Sequence, residues 1–314
     1  MEVVEFQATA RRITDNVERV ILGKRTEIEL AVAALLCRGH LLIEDRPGTG
    51  KTMLGRALAR SVSGEFHRLQ FTPDLLPADV TGLMIYDQAK LEFRFHPGPI
   101  FANLVLADEI NRATPKAQAS LLECMDEYQV TIDGVTHPLP APFFVIATEN
   151  PIEYHGTYPL PEAQLDRFLL RLELGYPSHA SEVDMLTAQR ERHPIETLQP
   201  VIDGPGVQAL QERVRAVPVA DVVKDYIVRL VALTRDHRLV SLGASPRASL
   251  ALLRMAQCRA LMRGQPAPRE DEVKAVAVPV LAHRLILSPE ARAEGLPAGE
   301  VVARLLAEVE VVVP

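Results

Sequence analysis

The stretch EDRPGTGKTM, residues 44–53, sets a lysine and a hydroxyl behind a short glycine-bearing turn. The pattern G-x-x-x-x-G-K-[ST] grips phosphates, and here Asp45 stands where its first glycine is usual. Backbone N–H groups around Gly48, Thr49 and Gly50 would converge on one concavity, backed by the positive end of the following helix. Lys51 would reach the β and γ phosphates, and the Thr52 hydroxyl would bind Mg²⁺. Pro47 and Met53 complete the expected nucleotide-binding run. Asp tolerates unusual turn conformations, so the substitution does not abolish the loop. A G-x-G-K-T run also arises by chance in ordinary turns, so a second signal is needed.

LVLADEINRA, residues 104–113, supplies it: an apolar run ends in Asp108-Glu109. Ionised groups resist burial unless paired, so a buried strand seldom ends in two carboxylates for packing reasons. Beside a phosphate loop, Asp108 would hold Mg²⁺ through water, and Glu109 would orient and deprotonate an attacking water. A solvated acidic loop is the bland alternative. The two runs together read as a Walker A and Walker B pair.

Such residues need strands to aim them. HLLIE (40–44), FHRLQF (66–71), LVLAD (104–108), FFVIAT (143–148) and FLLRLEL (168–174) read as strands. TMLGRALARSV (52–62) and PKAQASLLECMDEY (115–128) read as helices, the second opening on a proline as a first turn permits. Alternation at this spacing implies an α/β fold with a parallel sheet wrapped by helices. Two hairpins interrupt the scheme, one over 83–95 and one centred on Asp133-Gly134, a preferred two-residue turn. After Tyr176-Pro177 five helical patterns follow, divided by Pro and Gly. The expected domains are 1–175, a nucleotide-binding αβα sandwich, and 176–314, a smaller all-helical lid. VEVVVP at the end reads equally as an edge strand or an apolar terminus.

The 314 residues are 47% hydrophobic and 24% charged, ordinary globular composition for two domains. A net charge of −7 would repel nucleic acid and anionic membrane in bulk. Apolar runs such as AVAALLC (31–37) are too short to span a bilayer, and the acidic start lacks a secretory pattern. A soluble, cytoplasmic protein is expected. Cys37, Cys124 and Cys258 are far apart in apolar helical patterns, which favours core thiols over a disulfide or metal set.

LADEINRATPKAQASLLECMDEYQVTIDG, ATENPIEYHGTYPLPEAQLDRFLL and LGASPRASLALL resemble the MoxR family of AAA+ ATPases, over about residues 10–290. The resemblance implies a P-loop NTPase core with a helix-2 insert and a pre-sensor hairpin, followed by a lid. It implies ATP and Mg²⁺ as cofactors and assigns Asn150 as a sensor ordering the nucleophilic water. Arg167 resembles the arginine finger that reaches a neighbouring subunit's nucleotide. Arg247 matches a second sensor that would come from the lid to the γ phosphate. Ile21, Leu22 and Gly23, in VILGK, resemble the segment lining adenine. An arginine finger stabilises charge on a transferring phosphoryl group, at about 10³–10⁵ in rate. From spacing alone, Arg167 could instead pair with Asp166 or Glu162, Arg247 could cap a helix or sit in solvent, and Asn150 could merely satisfy backbone groups. Glu149 stands where the family commonly has Gln, and Lys24 replaces a frequent Gln; strand alternation should turn Glu149 away from Asn150. The missing first glycine is tolerated in this family.

The resemblance also implies a homo-oligomeric, hexameric ring acting as a chaperone-like ATPase. Its partners would be von Willebrand factor A domain proteins, and its tasks protein maturation or metal insertion. Phe93, Arg94, Phe95 and His96 could face the ring's opening, while an ordinary strand would bury Phe93 and Phe95 in a core. A nucleic-acid motor of the same clade would share both nucleotide motifs but should carry a basic channel or an added module. A small-molecule kinase suits the acidic pair followed by Asn150 less well than water activation does. A non-hydrolysing module would not need Glu109, Asn150, Arg167 and Arg247 together, and no N-K-x-D run supports a GTPase.

Overall fold

The computed structural model describes residues 1–150, 156–188 and 193–310. Along the first half run α1 (Val3–Glu18), α2 (Arg25–Leu36), β1 (Leu41–Glu44), α3 (Lys51–Ser61), β2 (Phe66–Gln70) and α4 (Pro77–Thr81). A hairpin of β3 (Gly82–Asp87) and β4 (Glu92–Pro97) follows, then β5 (Leu104–Asp108) and α5 (Pro115–Glu127). A second hairpin, β6 (Gln129–Ile132) and β7 (Val135–Pro138), precedes β8 (Phe144–Glu149), α6 (Glu162–Leu165) and β9 (Leu170–Leu172). The sheet runs β2-β5-β8-β1-β9, and every pairing within it is parallel.

Alternation along the strands divides the core in two. Leu104, Leu106, Phe144 and Ile146 face a cluster that includes Phe6, Ile28 and Leu58 from α1, α2 and α3. Val105, Ala107, Val145 and Ala147 face the other way, onto Ala117, Leu121 and Met125 of α5. Both faces are covered, which is why these strands read as unbroken apolar runs. The expected hairpin turn is present, with Asp133 at φ 48° and Gly134 at φ 79°, the left-handed pair a two-residue turn requires.

The chain continues with α7 (His179–Ala188), α8 (Pro194–Thr197), α9 (Gly204–Arg215), α10 (Asp221–Asp236), β10 (Val240–Leu242) and α11 (Pro246–Met262). It closes with α12 (Glu270–Leu281), β11 (Ile286–Leu287), α13 (Pro289–Ala293) and α14 (Ala298–Glu308). These helices share one continuous core with α1 and α2: Leu210, Leu230, Leu252 and Val276 belong to the same cluster as Ala10 and Leu35. The helical half therefore packs on one side of the sheet, the side opposite α5. It adds one feature to the expected all-helical lid, the short antiparallel pair β10–β11. Strands of three and two residues are too short to leave a period in the sequence. Residues 189–192 and 311–314 lie outside the described residues, so the end of the expected 181–191 helix and most of VEVVVP do too.

The three cysteines are free, with Cys124 and Cys258 buried and Cys37 half-buried, as expected of core thiols. No described helix is long and apolar enough to cross a membrane.

Candidate functional site

In a parallel sheet, residues that follow the strands gather at one edge and residues that precede them gather at the other. The first edge carries the phosphate loop. β1 leads directly into it, and Gly50 (φ 95°) hands the chain to α3 with Lys51 as the first helical residue. Gly48 sits at φ 82°, and a Cβ there would meet nothing within 4 Å, so its backbone faces open space. That space is a cavity of about 390 Å³ bordered by Gly48, Lys51, Thr52, Arg68, Asp108 and Glu109. Pro47, Gly50 and Met53 also line it, and Thr49 closes the turn by donating to the Arg46 carbonyl at 3.3 Å.

Lys51 is buried, and its amine donates to the Asp45 carbonyl at 2.8 Å. Burial pushes the amine below its ordinary pKa, opposed by Asp108, Asp45 and Glu109. The sequence-expected acids are thus brought to the sequence-expected lysine. A buried amine facing two carboxylates across an open backbone cradle fits a polyphosphate and its cation.

Side chains absent from the sequence-based set hold those acids. Thr148 of β8 donates its hydroxyl to Asp108 Oδ1 at 2.7 Å and accepts the Glu109 N–H at 2.8 Å. Arg68 of β2 donates to Asp108 Oδ2 from Nη2 at 2.6 Å and from Nε at 3.1 Å. Two residues on, Gln70 donates to Glu109 Oε2 at 2.7 Å, and Arg112 Nε lies 3.2 Å from the same oxygen. Residues two apart share a strand face, so the polar pair inside FHRLQF was the available signal. Glu109 itself sits at φ 57°, a left-handed conformation that a non-glycine residue keeps only when its surroundings fix it.

Asp45 and Lys24, two of the three positions with unusual residues, have one structural task in common. Asp45 Oδ2 accepts the Gly175 N–H at 2.7 Å, and Lys24 donates to the Tyr176 carbonyl at 2.9 Å. Both tie the phosphate edge to the segment leaving β9. Ile21 reaches the loop, its Cδ1 3.6 Å from where a Gly50 Cβ would stand. Leu22 follows half-buried, and Gly23 (φ 72°) packs so closely on Ser181 that a Cβ would sit 2.2 Å from Oγ. Asn150 is buried directly after β8, the strand between β1 and β5. Residues 151–155 lie outside the described residues.

The model for the ATPase family associated with various cellular activities (AAA) matches residues 40–170, and the AAA lid domain matches 232–305. Chaperone MoxR1 of Mycobacterium tuberculosis is 41% identical over 95% of this chain and 81% of its own. Protein MoxR of Paracoccus denitrificans is 31% identical, covering 94% of each. The chain belongs to the MoxR family of AAA+ ATPases. YeaC of Bacillus subtilis, itself uncharacterised, is 51% identical over 96% of this chain and 94% of its own. The crystal structure of an inferred ATPase from Cytophaga hutchinsonii superposes with a TM-score of 0.91 at 36% identity, covering 99% of this chain and 97% of that one.

In this MoxR-family chain the two expected arginines are not at the phosphate loop. Arg167 lies just before β9 and Arg247 in the first turn of α11, at the opposite edge of the sheet. Both point at Asp126 in the last turn of α5, Arg167 Nη1 at 2.7 Å and Arg247 Nη1 at 3.6 Å. Arg167 also donates to the Leu122 carbonyl at 2.9 Å. The expectation that Arg247 reaches the γ phosphate from the lid is therefore corrected for its own chain, because α11 begins at the wrong end of the sheet. Arg167 takes neither Asp166 nor Glu162, the partners that spacing allowed, whereas the Arg247 side chain stays about half exposed. Asp166 is held instead by Arg284 at 2.7 Å and by Ser245 at 2.8 Å, and Ser245 is also the cap of α11.

Glu149 ends β8, directly before Asn150. It lies in register with Glu44, which pairs with Arg171 at 2.5 Å. Burial pushes the Glu149 carboxyl up to about 7, Glu44 adds to the rise, and Arg171 opposes it.

The hairpins differ from one another. Phe95 stacks on His137 of the second hairpin at 4.1 Å and meets Phe101 edge-on at 5.3 Å, whereas Phe93, nearer the tip, is 66% exposed.

Proposed function

We propose that this ATPase hydrolyses Mg-ATP at the edge holding Lys51, Asp108 and Glu109, as one subunit of a homo-oligomeric, hexameric ring. In this reading Lys51 holds the β and γ phosphates, while Thr52 and Asp108 hold the magnesium, the latter through water. Magnesium supplies positive charge to the phosphoryl oxygens. Glu109 takes the proton of the attacking water, and Asn150 orients that water. Ile21, Leu22 and Gly23 line the base. Arg167 and Arg247 serve a neighbouring subunit's triphosphate, leaving Asp126 when a more negative partner is presented. The observation that carries the reading is the separation of the acids and lysine from the arginines on opposite edges of one sheet.

The output in this proposal is chaperone-like remodelling or maturation of a partner, the role named for the mycobacterial relative, with metal insertion as one form of it. The partner class is a von Willebrand factor A domain protein, as the family resemblance implied, met in the cytoplasm. Support for an output surface comes from the first hairpin, where Leu91 is 76% and Phe93 66% exposed while Phe95 links its base to the second hairpin. The nucleotide-binding unit is taken as residues 1–175 and the lid as 176–314, the join falling where Asp45 and Lys24 grip Gly175 and Tyr176.

Lys51→Ala and Glu109→Gln test the site. Lys51→Ala should lose most nucleotide affinity. Glu109→Gln should keep Mg-ATP bound and lower turnover about 10²–10⁴-fold, the worth of a general base. Native protein with no adenine-nucleotide affinity would overturn the assignment.

A further inference from the structure

A second cavity, of about 410 Å³, lies where α1, α2, α11 and α12 meet. It has no lining residue in common with the phosphate-loop cavity. Its floor is apolar, with Leu30 and Ala33 from α2, Met255 and Met262 from α11, and Val276 from α12. Its rim is basic: Arg11, Arg25, Arg259 and Arg263 stand around it against a single lining acid, Glu29.

The acids on the α1–α2 side of this cavity are spent mainly on Arg25. Arg25 takes Asp15 at 2.9 Å, Glu18 at 2.6 Å and Glu29 at 3.4 Å, and Arg11 lies 3.7 Å from Asp15. On the opposite wall, Arg259 lies in the last turn of α11 and Arg263, one turn on, caps its end. Among the described residues neither has a carboxylate within ion-pair distance. Like charges four apart on a helix repel. Burial and the neighbouring Arg263 both push the Arg259 pKa down, with Glu29 and Glu272 opposing. A half-buried guanidinium beside a second one, with its two acids too far to pair, is under-compensated by its own fold. It gains from an incoming oxyanion, whose geometry matches the planar guanidinium fork.

We propose that this cavity is a binding site for a small amphipathic anion, with a phosphate or carboxylate head on Arg259 and Arg263 and an apolar body over Met255 and Leu30. The volume is that of an ordinary small-molecule site, about 300–1,000 Å³. Methionines suit such a floor because the thioether is polarisable and adaptable. A ligand seated there touches α2, which follows the Gly23 segment, and α11, which begins near Arg247, so occupancy braces the two helices against each other. The inference stands apart from the roles proposed for the phosphate edge.

Calorimetric titration of the full-length protein with hexyl phosphate and hexanoate tests it, with inorganic phosphate and 1-hexanol as half-ligands. One or both amphiphiles should bind saturably, at least about tenfold more tightly than either half, since each half makes only one kind of contact. The stronger of the two identifies the head. Arg259→Gln/Arg263→Gln should lose about tenfold or more of that affinity while Mg-ADP affinity stays within about twofold, and the exposed single change Arg263→Gln should lose part of it. Binding should persist with saturating Mg-ADP. Equal affinity in the double variant, displacement by Mg-ADP, or amphiphiles no better than their halves would each overturn the proposal. Saturable binding of a tetraglutamate peptide with none of hexyl phosphate or hexanoate would overturn it too, in favour of an acidic polypeptide.

Discussion

The two edges of the parallel sheet are electrostatic opposites. At the edge where strands end, one buried lysine sits among Asp108, Glu109 and the Asp45 carbonyl. At the edge where strands begin, Arg167 and Arg247 converge on Asp126, with Arg38, Arg254 and Arg284 bordering the same cleft. A five-residue strand such as β5 spans about 17 Å, so no side chain of one chain serves both edges. One edge is proposed to hold a triphosphate and activate water. The other has the positive charge that stabilises a transferring phosphoryl group. In the proposed reading each is half of a site, which a second copy of the chain would complete.

The largest effect that would break this pairing belongs to Arg167. Arg167→Ala should bind Mg-ATP with native affinity, because its own phosphate loop is intact, and lose about 10³–10⁵ in turnover. Mixing it with Glu109→Gln protein should restore part of the activity, since an Arg167→Ala loop can then face an intact arginine edge. Measured steady-state turnover in mixtures as low as in either variant alone would end the pairing of unlike edges. Arg247→Ala, whose arginine stands farther from Asp126, should behave alike in mixtures.

The phosphate edge was legible because its chemistry is contiguous in sequence: Pro47–Met53 in one run, Asp108-Glu109 at the end of one strand. The buried strands were legible for the same reason, as unbroken apolar runs flanked by turn residues. The arginine edge was not legible as a place. Arg167 and Arg247 could be named, but their distance from Lys51 depends on how α11 packs across the sheet, a long-range outcome no local period encodes. Asp126, their common partner, is one acid among several on an amphipathic helix. Arg68 and Gln70 read as the polar face of a strand, and only the pairing of β2 with β5 in register brings them to Asp108 and Glu109. The hairpin aromatics were equivocal because Phe93 and Phe95 share a face, and distance from the tip, not alternation, decides which is covered.

Arg68 sharpens the description of the phosphate edge. Its guanidinium occupies the Asp108 oxygen that the proposed metal site needs, so cation binding competes with it. Arg68 is half exposed, which limits the worth of the pair through solvent screening. Arg68→Ala should therefore tighten Mn²⁺ binding to nucleotide-free protein by only about two- to tenfold, read by the paramagnetic resonance of free Mn²⁺. Unchanged or weaker binding would show that the contact does not oppose the metal. Gln70→Ala should change Mn²⁺ affinity less than Arg68→Ala does, because Gln70 reaches the Asp108 carboxylate only through Arg68, whose Nη2 donates to the Gln70 side chain at 2.9 Å.

The smallest expected effect lies between the edges, at Glu149, and it is one of stability. Its carboxyl is pushed from the usual 4.5 up to about 7, first by burial and then by Glu44. Between those values the unfolded chain has released a proton that the folded chain keeps, so stability is fully present below about 4.5 and falls as pH rises through about 7. Glu149→Gln removes the titration and keeps the shape. The variant should match the native protein near about pH 3, well below the unfolded value, where the acid is neutral in both states, and exceed it by about 1–3 kcal/mol near about pH 8. Urea unfolding at the two pH values reads the difference directly. A stability gap that does not change with pH would mean the glutamate is solvated well enough to ionise freely. The strand end beside Asn150 would then carry a permanent charge, and the neutral glutamine common in the family would be a change of electrostatics and not of packing.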